Sequence, residues 1–202
     1  SGLGSPFELD MMNERNQEMS KYWWFFDQAL VLKTPGSCIL SKDSSQSDIV
    51  LWRHLLSLLE RYRPNRPVDG IILTIPCDEL IGKNKLDLGI IQERARVIYT
   101  KLLQLQSSFG VCAPVYIIVT KTDSIFGFES FCREIPNSSL HEIFGWSSPY
   151  GTNQIYSSDW IEEAFHQMDA RLQKIILEIY TENANIPEAD GLYVFSTSFR
   201  EI

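Results

Sequence analysis

The stretch from Val68 to Asp123 constrains the fold more than any other. It opens with an apolar run, Val68-Asp69-Gly70-Ile71-Ile72-Leu73-Thr74-Ile75, stopped by Pro76, and closes with another, Pro114-Val115-Tyr116-Ile117-Ile118-Val119. Between them Leu88, Ile91, Ala95, Ile98, Leu102, Leu105 and Phe109 recur at spacings of 3 and 4. That period predicts an amphipathic helix over Leu86–Phe109, with Gly110 as its C-cap. Both apolar runs read as buried strands, and a crossover of this length is what a parallel pair requires. The expectation is an α/β domain whose mostly parallel sheet is covered by helices on both faces.

In an open sheet of this kind, ligands collect beyond the carboxyl ends of the strands. Thr120-Lys121-Thr122-Asp123 stands at such an end. The rest of the chain is read around that tetrad.

Composition narrows the partners. A chain of 202 residues with 44% hydrophobic and 12% aromatic content fits one ordinary core. A net charge of −8 argues against nucleic acid, whose phosphates need a basic face. No apolar run approaches the ~20 residues that span a bilayer. Cys38, Cys77, Cys112 and Cys132 lie far apart, as do His54, His141 and His166, so neither zinc-ligand spacing nor a disulfide framework is indicated. Reduced, partly buried thiols are expected.

Residues 1–20 are polar and irregular, and Ser1 to Asp10 reads as an appended lead rather than natural sequence. Residues 21–202 then read as a single truncated α/β domain. Trp23 to Phe26 lead into the run Ala29 to Leu32, a strand that ends in the turn Lys33-Thr34-Pro35-Gly36. Ser37 to Asp48 is a Ser/Asp-rich loop, and Asp48 is placed to cap a helix carrying Trp52, Leu55, Leu56, Leu59 and Tyr62 up to Arg63-Pro64. After Asp123, Ser124 to Glu134 looks helical and His141 to Tyr156 irregular. Asp159 with Glu162 resembles a capping box at the head of a long helix bearing Trp160, Phe165, Met168, Leu172, Ile175, Ile176 and Ile179. Asn183 to Asp190 reads as a loop, and Leu192 to Phe195 as a last strand ending in Ser196-Thr197-Ser198.

Three strands would thus end in polar turns at one sheet edge: Lys33 to Gly36, Thr120 to Asp123, and Ser196 to Ser198. In order and spacing these resemble the later signatures of P-loop GTPases, namely Asp-x-x-Gly, Asn/Thr-Lys-x-Asp and a Ser-Ala-type turn. In such a site the Asp123 carboxylate accepts two N–H bonds from a guanine edge while the Lys121 stem packs along the ring. Thr120, Lys121, Asp123, Ser196 and Thr197 are then the candidate base-binding residues. The alternative for Asp123 is a cap on a helix starting at Ser124. No Gly-x-x-x-x-Gly-Lys-Ser/Thr loop precedes the first strand, and Lys33 replaces the Asp that helps hold magnesium, so no catalytic residue is assigned.

Several segments together carry a further resemblance. Trp24-Phe25-Phe26-Asp27-Gln28-Ala29, Lys33 to Gly36, Arg63-Pro64-Asn65-Arg66-Pro67-Val68-Asp69-Gly70, Pro114-Val115-Tyr116, Thr120 to Asp123, Gly127-Phe128, Phe144-Gly145-Trp146 with Pro149, and Leu192 to Phe195 occur in an order similar to the cytoplasmic domain of the IcmF/TssM family. The resemblance implies a large bacterial inner-membrane protein of type VI secretion, related to a type IVB component, with this GTPase-like domain facing the cytoplasm. It implies partnership with a TssL/DotU-type inner-membrane protein, an outer-membrane lipoprotein and baseplate components. Two roles follow as expectations: a docking module without cofactor, with Trp146 and Tyr150 as candidate anchors, or a GTP or ATP switch with magnesium whose phosphate loop lies outside this fragment.

Overall fold

The computed structural model describes residues 23–40, 46–137, 139, 142–151, 154–182, 186 and 189–200. The chain divides into two compact units: residues 1–68 with 89–111, and residues 69–88 with 112–202.

In the first unit, β1 (Trp23–Phe25) and β2 (Leu30–Leu32) form an antiparallel hairpin with Trp24 opposite Val31. Phe26 and Ala29 close it, the Phe26 N–H donating to the Ala29 carbonyl at 2.8 Å. The expected single strand is therefore two, because the aromatic lead is itself extended and pairs back across a two-residue loop. The expected loop after Gly36 is also partly helical. Helix α1 spans Gly36–Leu40, and α2 spans Gln46–Tyr62, so Asp48 lies in the first turn of α2 rather than capping it. Helix α2 does stop before Arg63-Pro64. Trp52 is buried and its indole N–H donates to Gln104 Oε1 at 3.0 Å, which ties α2 to α3 (Leu88–Phe109). Lys101 lies 5.0 Å above the same ring, a cation–π contact. Gly110 closes α3 at φ +63, its N–H on the Gln106 carbonyl at 2.9 Å.

In the second unit, β3 (Ile71–Pro76) and β4 (Val115–Thr120) pair in parallel, Ile71 with Val115 through Pro76 with Thr120. The parallel crossover is as expected. The double covering is not: among the described residues the sheet has two strands, and Tyr116 and Ile117 of β4 stay 57% and 59% exposed. The apolar mass sits instead at the carboxyl ends of the strands. There α4 (Phe128–Glu134), α5 (Asp159–Glu182) and α6 (Ala189–Phe199) enclose Ile125, Phe131, Leu172, Ile175, Ile176, Ile179, Leu192 and Phe195, with Cys77 just past β3. Each fully buried aliphatic or aromatic side chain stabilises such a core by about 1.5–3 kcal/mol. The expected strand at Leu192 to Phe195 is corrected to helix α6. Leu192, Phe195 and Phe199 fall at spacings of 3 and 4, a helical stripe that packs on the core, and a short apolar run does not by itself distinguish the two conformations.

Two details fix how these helices meet. Gly127, at φ +85, lies so close to α6 that a Cβ there would stand 2.1 Å from the Gly191 carbonyl oxygen. The Tyr180 hydroxyl donates to the Ala189 carbonyl at 2.8 Å, pinning the start of α6 to α5. Among the described residues no helix is long and apolar enough to cross a membrane.

Candidate functional site

The carboxyl ends of β3 and β4 each continue into a single 3-10 turn, Cys77–Glu79 and Thr122–Ser124. Parallel pairing brings these turns side by side. Lys121, between β4 and its turn, adopts φ +55 and is the one non-glycine residue at positive φ among those described. Its carbonyl accepts both the Ser124 N–H at 3.1 Å and the Ser124 hydroxyl at 2.6 Å, which holds the turn shut. The Thr120 hydroxyl reaches the Ile75 carbonyl at 3.5 Å, a long contact across the sheet.

The Lys121 ammonium does not project freely. It donates to Asp78 Oδ2 at 2.9 Å, and this hydrogen bond, then the Asp78 charge, raises its pKa. The other Asp78 oxygen, Oδ1, is buried without a hydrogen-bond partner among the described residues. Beneath them the fully buried Cys77 thiol is pushed up in pKa by burial, with the Asp78 and Asp123 charges adding to the rise and a Ser124 hydrogen bond opposing it. The strand ends thus gather Thr120, Lys121 and Asp123 with Asp78, a residue that strand and helix periodicity did not single out. The signal available was its position: Cys77-Asp78-Glu79 follows the other parallel strand as Lys121 to Asp123 follows β4.

Asp123 does not cap a helix at Ser124, because the α-helix begins only at Phe128, with Gly127 as its N-cap. Ser196 and Thr197 stand on helix α6, not at a strand end. Ser196 accepts Gln173 Nε2 from α5 at 3.3 Å, so its hydroxyl serves helix packing. Lys33 to Gly36 follow the β1–β2 hairpin, which is a separate sheet from β3–β4, so the three polar turns do not share one sheet edge. Among the described residues no group of three His, Cys, Asp or Glu side chains is placed to hold a metal ion.

A second feature lies along α5. The segment 142–151 and 154–158, irregular as expected, leans on this helix; His141 lies outside the described residues. The Phe144 ring meets Phe199 edge-on at 5.6 Å, and Arg171 bonds the Ile143 carbonyl at 2.9 Å and the Glu142 carboxylate. Tyr150 stacks on Trp160 with ring centres 4.3 Å apart and planes 15° from parallel, and its hydroxyl donates to Glu163 at 2.7 Å. Helix α5 begins at Asp159, which is therefore its first helical residue and not the cap; the Ser157 hydroxyl just upstream accepts the Asp159 N–H at 3.4 Å. Farther along, Asp169 and Arg200 form a two-point ion pair at 3.0 and 2.9 Å in an open groove of about 340 Å³ walled by Phe165 and Phe199.

Comparison with known proteins agrees with the residue pattern. The family model for the IcmF-related N-terminal domain matches residues 45–202. The chain is 27% identical over 187 residues to the type VI secretion system component TssM1 of Pseudomonas aeruginosa, an alignment that covers 88% of this chain and 16% of that relative. No solved structure matches the chain. The match over most of its length, with the ordered segments from Trp24 to Phe195, shows that the chain belongs to the IcmF/TssM family, of which it carries the N-terminal domain.

Proposed function

We propose that the chain is a docking domain of a type VI secretion protein, an α/β module on the cytoplasmic side that binds other components of the apparatus. The observation that carries this reading is its surface. Ile155 and Tyr156 stand 93% and 63% exposed beside the ordered Tyr150–Trp160 stack, and Ile143 stands 89% exposed farther along α5, near Arg171. Exposed apolar and aromatic groups on a rigid support are the usual makings of an interface. Expected partners are a TssL/DotU-type inner-membrane protein and baseplate components, with an outer-membrane lipoprotein reached through the full-length protein. The test is capture of the purified cytoplasmic part of the cognate TssL-type protein, and of each baseplate protein, by the immobilised chain. Retention of none of them would sink the reading.

A second reading is favoured by Lys121 and Asp123 at the end of a parallel strand: a GTPase-like switch that takes GTP or ATP with magnesium once a phosphate-binding loop is supplied by the longer protein. Thr120, Lys121 and Asp123 would hold the base, and Asp78 would have to release Lys121. Calorimetry on the longer protein separates the two, with Asp123→Ala expected to weaken binding strongly, since it removes a carboxylate that takes two hydrogen bonds. Absence of heat with either nucleotide refutes the switch.

A further inference from the structure

We propose that the aromatic group Tyr150, Tyr156 and Trp160, with the carboxylates of Asp159 and Glu163 beside it, is the docking point for an arginine-bearing basic segment of a partner protein. This rests on the docking role argued above and gives it a location and a chemistry.

The group is built before any partner arrives. Tyr150 lies flat on one face of the Trp160 indole, and Tyr156 meets that indole edge-on at 5.8 Å and 77°. The Tyr150 hydroxyl is held by Glu163, and the Glu163 carboxylate also accepts Gln167 Nε2 at 2.9 Å from the next turn of α5. Trp160 is half-buried, while Tyr156 shows most of its ring. Rings fixed in this way lose little freedom when a ligand settles on them.

Charge selects the occupant. Asp159 and Glu162 are exposed in the first turn of α5, and no lysine or arginine occurs anywhere between Glu142 and Arg171. The Asp159 and Glu163 charges raise the Tyr150 pKa behind the larger contribution of its hydrogen bond to Glu163, as expected for carboxylates gathered near one ring. A surface that joins open aromatic faces to carboxylates repels phosphates and anionic lipid and attracts cations. Among protein cations the guanidinium fits best, because its plane stacks on a ring while its edge forks onto a carboxylate, which a lysine ammonium cannot reproduce.

The test is fluorescence anisotropy of the intact chain with labelled Gly–Arg, Gly–Lys and Gly–Glu repeat peptides of equal length at physiological ionic strength. The Gly–Arg peptide is expected to bind, the Gly–Lys peptide several-fold more weakly and the Gly–Glu peptide not at all. Tyr156→Ala is expected to weaken the Gly–Arg complex by about fivefold to tenfold, the size of one stacked cation–aromatic contact. Tyr156→Phe, which keeps the ring, restores it. Because Tyr156 is exposed, both variants are expected to keep the circular dichroism spectrum of the parent chain. The proposal is overturned if no peptide binds, if Arg and Lys peptides bind alike, or if Tyr156→Ala leaves the affinity unchanged. Capture of the secretion partners by Tyr156→Ala at parental strength would leave the docking role standing and remove only this site.

Discussion

Gly127→Ala offers the sharpest check on the packing of the second unit. Two costs add at this position. The backbone sits at φ +85, where an L-residue loses roughly 1–2 kcal/mol against glycine. The new methyl would also stand 2.1 Å from the Gly191 carbonyl oxygen and 2.9 Å from Phe195 Cβ. Neither neighbour is a flexible tip, so α6 must move off the Ile125–Phe131 segment, and overpacking of this kind costs about 1–3 kcal/mol. The sum, roughly 2–5 kcal/mol, is a large share of the 5–15 kcal/mol that usually holds a domain. Gly82 supplies the control within the same unit: its φ is +77, but nothing lies within 4 Å of the position a Cβ would take. Gly82→Ala is therefore expected to lose only the conformational part, about 1–2 kcal/mol. Urea unfolding followed by far-ultraviolet circular dichroism reads both, with Gly127→Ala shifting the midpoint clearly further. Equal losses for the two variants would refute the close approach of α6 to Gly127.

Two further outcomes are expected at the strand ends. The Cys77 thiol is raised in pKa by burial, so in alkali the unfolded chain releases a proton that the folded chain keeps; stability is complete below the ordinary thiol pKa of about 8.5 and falls as pH rises from there toward the folded value. Subtracting the pH profile of Cys77→Ala from that of the parent should expose this downward slope, and a flat difference would count against burial of the thiol. Lys121→Gly and Lys121→Ala both lose the Asp78 ion pair, but glycine relieves the positive φ that alanine keeps, so the glycine variant is expected to hold the higher urea midpoint of the two. A glycine variant less stable than the alanine variant contradicts this account.

How much was legible in the sequence depended on how far apart the deciding contacts lie. The β3–α3–β4 crossover was readable because its periods are long and its breakers, Pro76 and Gly110, act locally. The hairpin at Trp23 and the helix at Leu192 were not, since a three-residue strand and an apolar tetrapeptide carry too little period to choose a conformation, and tertiary packing chose it. At the site, Thr120, Lys121 and Asp123 were marked by their place after a strand. Asp78 emerged only once the parallel register placed the two turns together. Ser196 and Thr197 lost their strand-end placement for the opposite reason: it depended on a strand that is a helix. Trp160 was readable as a residue of the α5 stripe, but its stacking with Tyr150 joins a loop to a helix and has no signature in spacing.

The parallel pairing of β3 with β4 also has a consequence for synthesis on the ribosome. Thr120 and the Ile75 carbonyl it contacts are 45 residues apart, so β3 emerges long before its neighbour exists. At ~5–20 residues per second the wait is roughly 2–9 s. Helix α3, whose bonds are local, has time to form in that interval. The apolar strand Ile71–Pro76 has no such local partner and waits with its ladder unfilled, so the newborn chain is most exposed to aggregation, and to chaperone capture, during the seconds before Val115 to Thr120 is delivered.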